Sequence, residues 1–209
     1  MTQPEEITDA WQKVIDSLDR SLNWRWLPEV TQWVIDQAQT IQQIAAPTFA
    51  EKPRAAHVAD VFSGLGLRDV DIDEAFNVYG RLPGTRKGRG LLLSAHTDTV
   101  FPADTDLRLR QRGKLLYGPG LGDNSVGVAG MTGIVVALRH LKIQPPCDLW
   151  FVATSREEGL GDLGGMKAAY ERLRDSIYAV INVEGLALGY IYHAGIAVRR
   201  LRITAHADG

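Results

Sequence analysis

The sequence predicts an α/β fold, in which a mixed and mostly parallel sheet carries helices on both faces. Three largely apolar runs, at residues 91–93, 148–153 and 178–183, are typical of buried strands, and each is followed by polar or charged residues. Helical patterns follow these polar ends, and this repeated order indicates an α/β sheet. Ligands of such sheets bind beyond the carboxyl ends of the strands, so the polar residues there are the first candidates for a functional site.

Shorter patterns predict the remaining elements. Apolar residues three and four apart predict five helices, over about residues 4–19, 30–45, 54–62, 128–141 and 164–173. Alternation predicts a strand at 76–79, which suits an antiparallel edge of the sheet, and a surface hairpin at 104–117. Alternation at 198–205 predicts the first strand of a further unit.

Composition and charge exclude several classes of protein. The chain has 209 residues, 45% of them hydrophobic, which suffices for one well-packed domain or for one domain and part of another. A formal net charge of -2 without a basic stripe argues against a nucleic-acid partner. The single cysteine, Cys147, excludes a disulfide framework and a cysteine zinc cluster. Without a secretion signal or an apolar run long enough for a membrane span, we expect a cytoplasmic protein with no membrane partner.

The central candidate is the strand that ends at His96 and is followed by Asp98. Residues two apart in an extended chain lie on the same side, so the carboxylate can hold one imidazole nitrogen while the other faces outward. The outward nitrogen can then bind a metal ion or transfer a proton. A single histidine at a strand end is more often structural, so this interpretation depends on what other segments bring to the same edge.

Acidic residues from three other segments are expected at that edge. They are Asp123 after a glycine-rich loop, Glu157 and Glu158 after the second strand, and Glu184 after the third. Carboxylates placed close together raise one another's pKa and destabilise the fold, and a bound metal ion would neutralise them. Imidazole and carboxylate ligands without a thiolate suit zinc, cobalt or manganese.

Four motifs give this pattern a family resemblance. They are Ser-Ala-His-Thr-Asp-Thr-Val at 94–100, Gly-Leu-Gly-Asp-Asn at 120–124, Glu-Glu-Gly at 157–159 and Asn-Val-Glu-Gly at 182–185. In their order and spacing the chain, from about Val30 to Gly209, resembles the M20 family of co-catalytic zinc peptidases and amidohydrolases. That family includes carboxypeptidases, di- and tripeptidases and N-acyl amino acid deacylases. The resemblance implies a phosphorylase/hydrolase-like catalytic domain that cleaves a peptide or amide bond.

The resemblance also implies a set of metal ligands. Two zinc ions are expected, with cobalt or manganese as substitutes. His96 and Glu184 would bind the first ion, Asp123 would bridge both ions, and Glu158 would bind the second. A peptide bond in the cis form is expected between Asp123 and Asn124, because the family often has one there.

Two further residues take catalytic roles by the same resemblance. Asp98 would orient His96, and Glu157 would be the general base that activates the attacking water. A short peptide cut from one end is the preferred substrate, and an N-acyl amino acid is the alternative.

The resemblance divides the chain at residue 197. Residues 1–197 would form the catalytic metal-binding domain without its carboxyl-terminal part, and 198–209 would begin a lid and dimerisation domain. The family's last zinc ligand is a histidine that would lie beyond residue 209. We therefore expect a truncated catalytic domain that is inactive alone. A homodimer would form through the missing lid domain.

Two other functions compete with this interpretation. The glycines at 118, 120 and 122 precede a helix, as in some phosphate-binding loops, but the Gly-Lys-Ser/Thr of a P-loop is missing and an acid follows. A nucleotide-binding module is therefore disfavoured. The stronger alternative is a non-catalytic metal-binding or assembly protein that keeps the acids and has lost catalysis.

Overall fold

The computed structural model describes residues 4–185, 189–194 and 203–206. Its strands are β1 (Arg68–Ile72), β2 (Val78–Leu82), β3 (Gly90–His96), β4 (Arg110–Arg112), β5 (Leu115–Tyr117), β6 (Leu149–Thr154) and β7 (Ile177–Asn182). Five of them form one sheet in the order β1-β2-β6-β3-β7, and β4 pairs with β5 in the predicted surface hairpin. Strands β6, β3 and β7 are parallel, whereas β1 and β2 add antiparallel pairs at one edge. The predicted mixed sheet with an antiparallel edge is confirmed.

Strand β1 is the element of the sheet that the sequence did not predict. Its sequence is Arg-Asp-Val-Asp-Ile, and four of its five residues are exposed. An edge strand with solvent on both faces lacks the apolar alternation on which strand prediction depends.

All five predicted helices are present. They are α1 (Pro4–Ser21), α2 (Leu27–Gln42), α3 (Lys52–Gly64), α4 (Val126–His140) and α5 (Gly164–Leu173). Helix α2 begins three residues before the predicted start because Pro28 occupies its first turn, where the missing N–H of proline costs no hydrogen bond.

Helices cover both faces of the sheet, as predicted. The core on one face joins α2, α3 and α4 to the sheet and includes Phe62, Leu93 and Met131. The core on the other face includes Leu92 and residues of α5. Adjacent residues of β3 therefore enter different cores, which explains why this strand reads as a continuous apolar run.

The prediction that no segment could span a membrane is wrong by one criterion. The segment Leu121–His140, which includes α4, is long and apolar enough to cross a membrane by length and composition. Half of the most apolar part of this segment is buried inside the protein, and α4 packs against α2 and β3. A core helix passes the same test, so this segment is weak evidence for a membrane span.

The predicted strand at 198–205 falls largely outside the described residues. Residues 195–202 are not described, and 203–206 form no regular structure. The domain boundary at residue 197 and the lid that would follow it stay predictions.

Candidate metal centre

The parallel strands bring three chain segments to one edge of the sheet. His96 ends β3 opposite Thr154, the last residue of β6. On the other side of β3, the carbonyl of Ser94 accepts a hydrogen bond from the N–H of Val183 at 2.7 Å. This bond fixes the chain after β7 beside β3, so that Glu184 follows at the same edge.

His96 lies at the centre of the predicted site. Its side chain is 3% exposed, and its Nε2 atom is 2.9 Å from Oδ1 of Asp123 and 3.7 Å from Oε2 of Glu184. Ligand atoms of these three residues all lie within 4.8 Å of one another. A second group within the same limit joins His96 to Glu157 and Glu158. The structure thus brings together all four predicted metal ligands and the predicted base.

The other ring nitrogen of His96 faces Asp98. Nδ1 is 3.0 Å from the backbone oxygen of Asp98 and 3.6 Å from its carboxylate oxygen Oδ1. The nearer acceptor is therefore the carbonyl, and the carboxylate acts on the ring through its charge. Either contact leaves Nε2 directed at the acids.

The carboxylate of Asp98 joins the site to a loop after β6. It is fully buried, and its Oδ1 accepts the N–H of Glu157 at 2.9 Å. Oδ2 accepts the N–H of Glu158 at 3.0 Å and the hydroxyl of Thr48 at 2.9 Å. Burial alone would raise the pKa of Asp98, but the neighbouring His96 and these donors outweigh burial and lower it. Asp98 therefore stays charged and holds both glutamates in place.

Two more buried side chains, which sequence reasoning missed, hold the same loop. Oδ1 of Asn77 accepts the N–H of Ser155 at 2.9 Å, and Oε1 of Glu51 accepts the N–H of Arg156 at 3.0 Å. The partners are 78 and 105 residues apart in the sequence. Neither Glu51 nor Asn77 belongs to a recognisable motif, so the sequence offered no signal for them.

A third segment carries Asp123 to the site. The bond between Asp123 and Asn124 is cis, as the resemblance implied. The side-chain amide of Asn124 donates to the carbonyl of Val183 at 2.9 Å. At Gly185 a Cβ atom would overlap the carbonyl oxygen of Gly122, so only glycine lets these loops approach so closely. Asp123 and Glu184 are held together by this contact.

The site holds an excess of negative charge. Burial raises the pKa of Glu158, and the charges of Asp123 and Glu157 raise it further. Burial also raises the pKa of Glu184, with contributions from the same two acids. Burial would lower the pKa of His96, but Asp98 and Glu184 raise it to about 9. In the described part of the chain no lysine or arginine forms an ion pair with the acids facing His96. This set of oxygen and imidazole donors fits a divalent cation.

The family of the chain follows from a comparison with family models. The model described as Peptidase family M28 matches residues 77–190, which is more than half of the chain. The chain belongs to peptidase family M28. Peptidases of family M28 are zinc-dependent, in agreement with the donor set. The class of co-catalytic zinc peptidases is thus supported, although the matching family is M28 and not the predicted M20.

Solved structures show the fold of this M28 chain. Aminopeptidase PepT from Bacillus cereus ATCC 10987 is 23% identical with a TM-score of 0.61, over 73% of this chain and 43% of its own. A tripeptidase from Staphylococcus aureus subsp. aureus mu50 is 24% identical with a TM-score of 0.60, over 75% and 44%. Human carnosine dipeptidase 1 is 21% identical with a TM-score of 0.57, over 78% and 42%.

The M28 chain spans less than half the length of these three proteins. Because the sequence identities are below 25%, these structures show a similarity of fold alone. No curated protein matches the sequence.

The raised pKa of His96 predicts how stability depends on pH when no metal is bound. A group whose pKa is higher in the folded state stabilises the fold fully below its unfolded value of 6.5. That contribution is lost as the pH rises to about 9. We expect urea unfolding in a chelator to show a larger loss of stability between pH 6.5 and 9 for the unaltered protein than for His96→Gln. His140→Gln, which changes a histidine of α4 outside the site, should keep the full loss, and equal losses in all three proteins would contradict the assignment.

The contact at Gly185 predicts a second effect. Gly185→Ala should separate the loops that carry Asp123 and Glu184 and weaken zinc binding by about 10- to 100-fold, as loss of an outer support does in other sites. Gly122→Ala is the matched control, because a Cβ there meets nothing within 4 Å. Competition with a zinc chelator measures both affinities. Equal zinc affinities of the two variants would show that the close approach does not fix the site.

Proposed function

We propose that this protein is a metal-dependent hydrolase that cleaves a peptide bond near one end of a short peptide. The observation that carries the proposal is the convergence on His96 of two groups of acids, each within 4.8 Å. Membership of peptidase family M28 supports the same reaction class. The neighbouring structures described as an aminopeptidase, a tripeptidase and a dipeptidase agree with a short substrate.

The proposed cofactor is a pair of zinc ions, which cobalt or manganese could replace. His96, Asp123 and Glu184 would hold one ion, in line with the 2.9 Å and 3.7 Å separations from Nε2. Asp123 would bridge to the second ion, and Glu158 would bind that ion. These roles follow the order of the M20 motifs. Within the zinc peptidases, we propose the M20 enzymes as the nearer functional parallel to this protein.

Glu157 is the proposed general base. Its backbone N–H is fixed by Asp98 at 2.9 Å, and its carboxylate lies in the same group as His96 and Glu158. From there it takes a proton from the attacking water and passes it to the leaving amine. The bound metal ions would lower the pKa of that water and polarise the carbonyl of the substrate. Asp98 keeps both His96 and Glu157 in the orientation that these steps require.

The substrate of the complete protein is proposed only as a class. A short peptide is preferred over an N-acyl amino acid, since the similar solved structures are those of peptidases. The expected homodimer through a lid domain and the cytoplasmic location stay predictions. Zinc analysis together with a peptidase assay would separate this proposal from a metal-binding protein without catalysis, because the latter would contain zinc and leave peptides intact.

The proposed base predicts the effect of one substitution. Glu157→Gln in the complete protein should lower kcat by about 10²- to 10⁴-fold, because the amide cannot accept the proton of the water. Zinc content should stay almost unchanged, since the ligands are other residues. Steady-state kinetics with a dipeptide and a tripeptide, together with metal analysis, measure both quantities.

Glu171→Gln provides the matched control. Glu171 lies on α5, where it pairs with Arg174 on the surface, so this variant should keep full activity. A parallel loss of zinc and activity in Glu157→Gln would mean that Glu157 is a ligand and not the base.

A further inference from the structure

Glu51 is a fully buried carboxylate at the start of α3. Residues in this capping position are usually Ser, Thr, Asp or Asn, whose side chains accept from the first turn of their own helix. Glu51 makes no such bond. Its Oε1 instead accepts the N–H of Phe49 at 2.9 Å and the N–H of Arg156 at 3.0 Å. The buried carboxylate is therefore directed at a distant loop.

That loop carries the proposed base. Arg156 directly precedes Glu157, and Asp98 accepts the N–H groups of Glu157 and Glu158. Two buried carboxylates thus hold three consecutive backbone amides. A segment fixed at consecutive amides cannot rotate without breaking one of these bonds, so they set the direction in which the Glu157 side chain leaves the backbone.

The backbone of Arg156 shows why its amide needs a partner. Its φ of 52° lies in the left-handed region, which is unfavourable for residues other than glycine. The bond from its N–H to Glu51 and the bond from Gly164 N–H to its carbonyl at 3.0 Å hold it there. Without Glu51, the N–H of Arg156 would lose this acceptor, and Arg156 could relax toward common backbone angles.

A purely structural role would leave the choice of a carboxylate unexplained. Burying a charge is unfavourable, and Oε2 of Glu51 makes no hydrogen bond within the described ranges. A charged acceptor, however, binds an N–H roughly twice as strongly as a neutral one. The carboxylate therefore binds the N–H of Arg156 more strongly than the side-chain oxygen of a glutamine would.

We propose that Glu51 is a positioning residue, which keeps the carboxylate of Glu157 at the metal centre by holding the amide of Arg156. The inference rests on the proposed role of Glu157 as the base. It adds a residue from the start of α3 to the set that determines turnover, although the side-chain hydrogen bonds of Glu51 go to the amides of Phe49 and Arg156 and not to the proposed metal ligands.

The test compares three variants of the complete protein. Glu51→Met keeps an unbranched side chain of similar length and removes the acceptor, Glu51→Gln keeps a weaker acceptor, and Val135→Ala lowers stability from a buried site on α4 away from the loop. We expect Glu51→Met to lower kcat by about 10- to 100-fold, as misplaced catalytic groups do, with zinc content and KM almost unchanged. Glu51→Gln should restore most of kcat, and Val135→Ala should leave kcat unchanged.

Hydrogen exchange at residues 156–158 gives a readout that does not depend on catalysis. Exchange should be slowest in the unaltered protein, faster in Glu51→Gln and fastest in Glu51→Met. If Glu51→Met does not fold, the faster exchange of Glu51→Gln still tests the bond. Unchanged exchange in the Glu51 variants, or a kcat of Glu51→Met no lower than that of Val135→Ala, overturns the proposal. An unaltered protein that cleaves no peptide overturns the proposed function instead, and exchange then still decides the role of Glu51.

Discussion

The buried carboxylate of Asp98 connects three parts of the chain that are far apart in sequence. It lies two residues beyond His96. It accepts one hydrogen bond from the hydroxyl of Thr48 and two from successive backbone amides in the loop after β6. A carboxylate without solvent must satisfy its oxygens inside the protein, and here it does so with three donors. Asp98 therefore links the imidazole directly to the backbone of the two glutamates.

The same arrangement creates the electrostatic problem that a cation would solve. Parallel strands end at one edge, so the acids that follow them meet there without an arginine or lysine partner among the described residues. Burial and the charges of neighbouring acids raise the pKa of Glu158 and of Glu184, and the attraction of Asp98 and Glu184 raises the pKa of His96 to about 9. A protein that used these groups only for stability would gain more from neutral residues. The acids are therefore better explained by ligand binding than by folding.

Among the described residues, the sequence predicted most of the sheet, the five α-helices and the acids grouped with His96, because buried strands and motif residues leave local patterns. It did not predict β1, whose side chains face solvent, or that β6 is the strand with which the antiparallel edge strand β2 pairs. The sequence also did not predict the roles of Glu51 and Asn77, because hydrogen bonds between residues 105 and 78 positions apart produce no local sequence pattern. Long-range polar contacts are visible only once the fold brings the partners together.

The central claim is that the acids and His96 hold metal ions. Diffraction data recorded on both sides of the zinc absorption edge, from crystals of the complete protein grown with zinc, test this most directly. The account predicts an anomalous peak within coordination distance of His96 Nε2, Asp123 and Glu184, and a second peak beside Asp123 and Glu158. Zinc bound elsewhere, with these side chains free of metal, would contradict it.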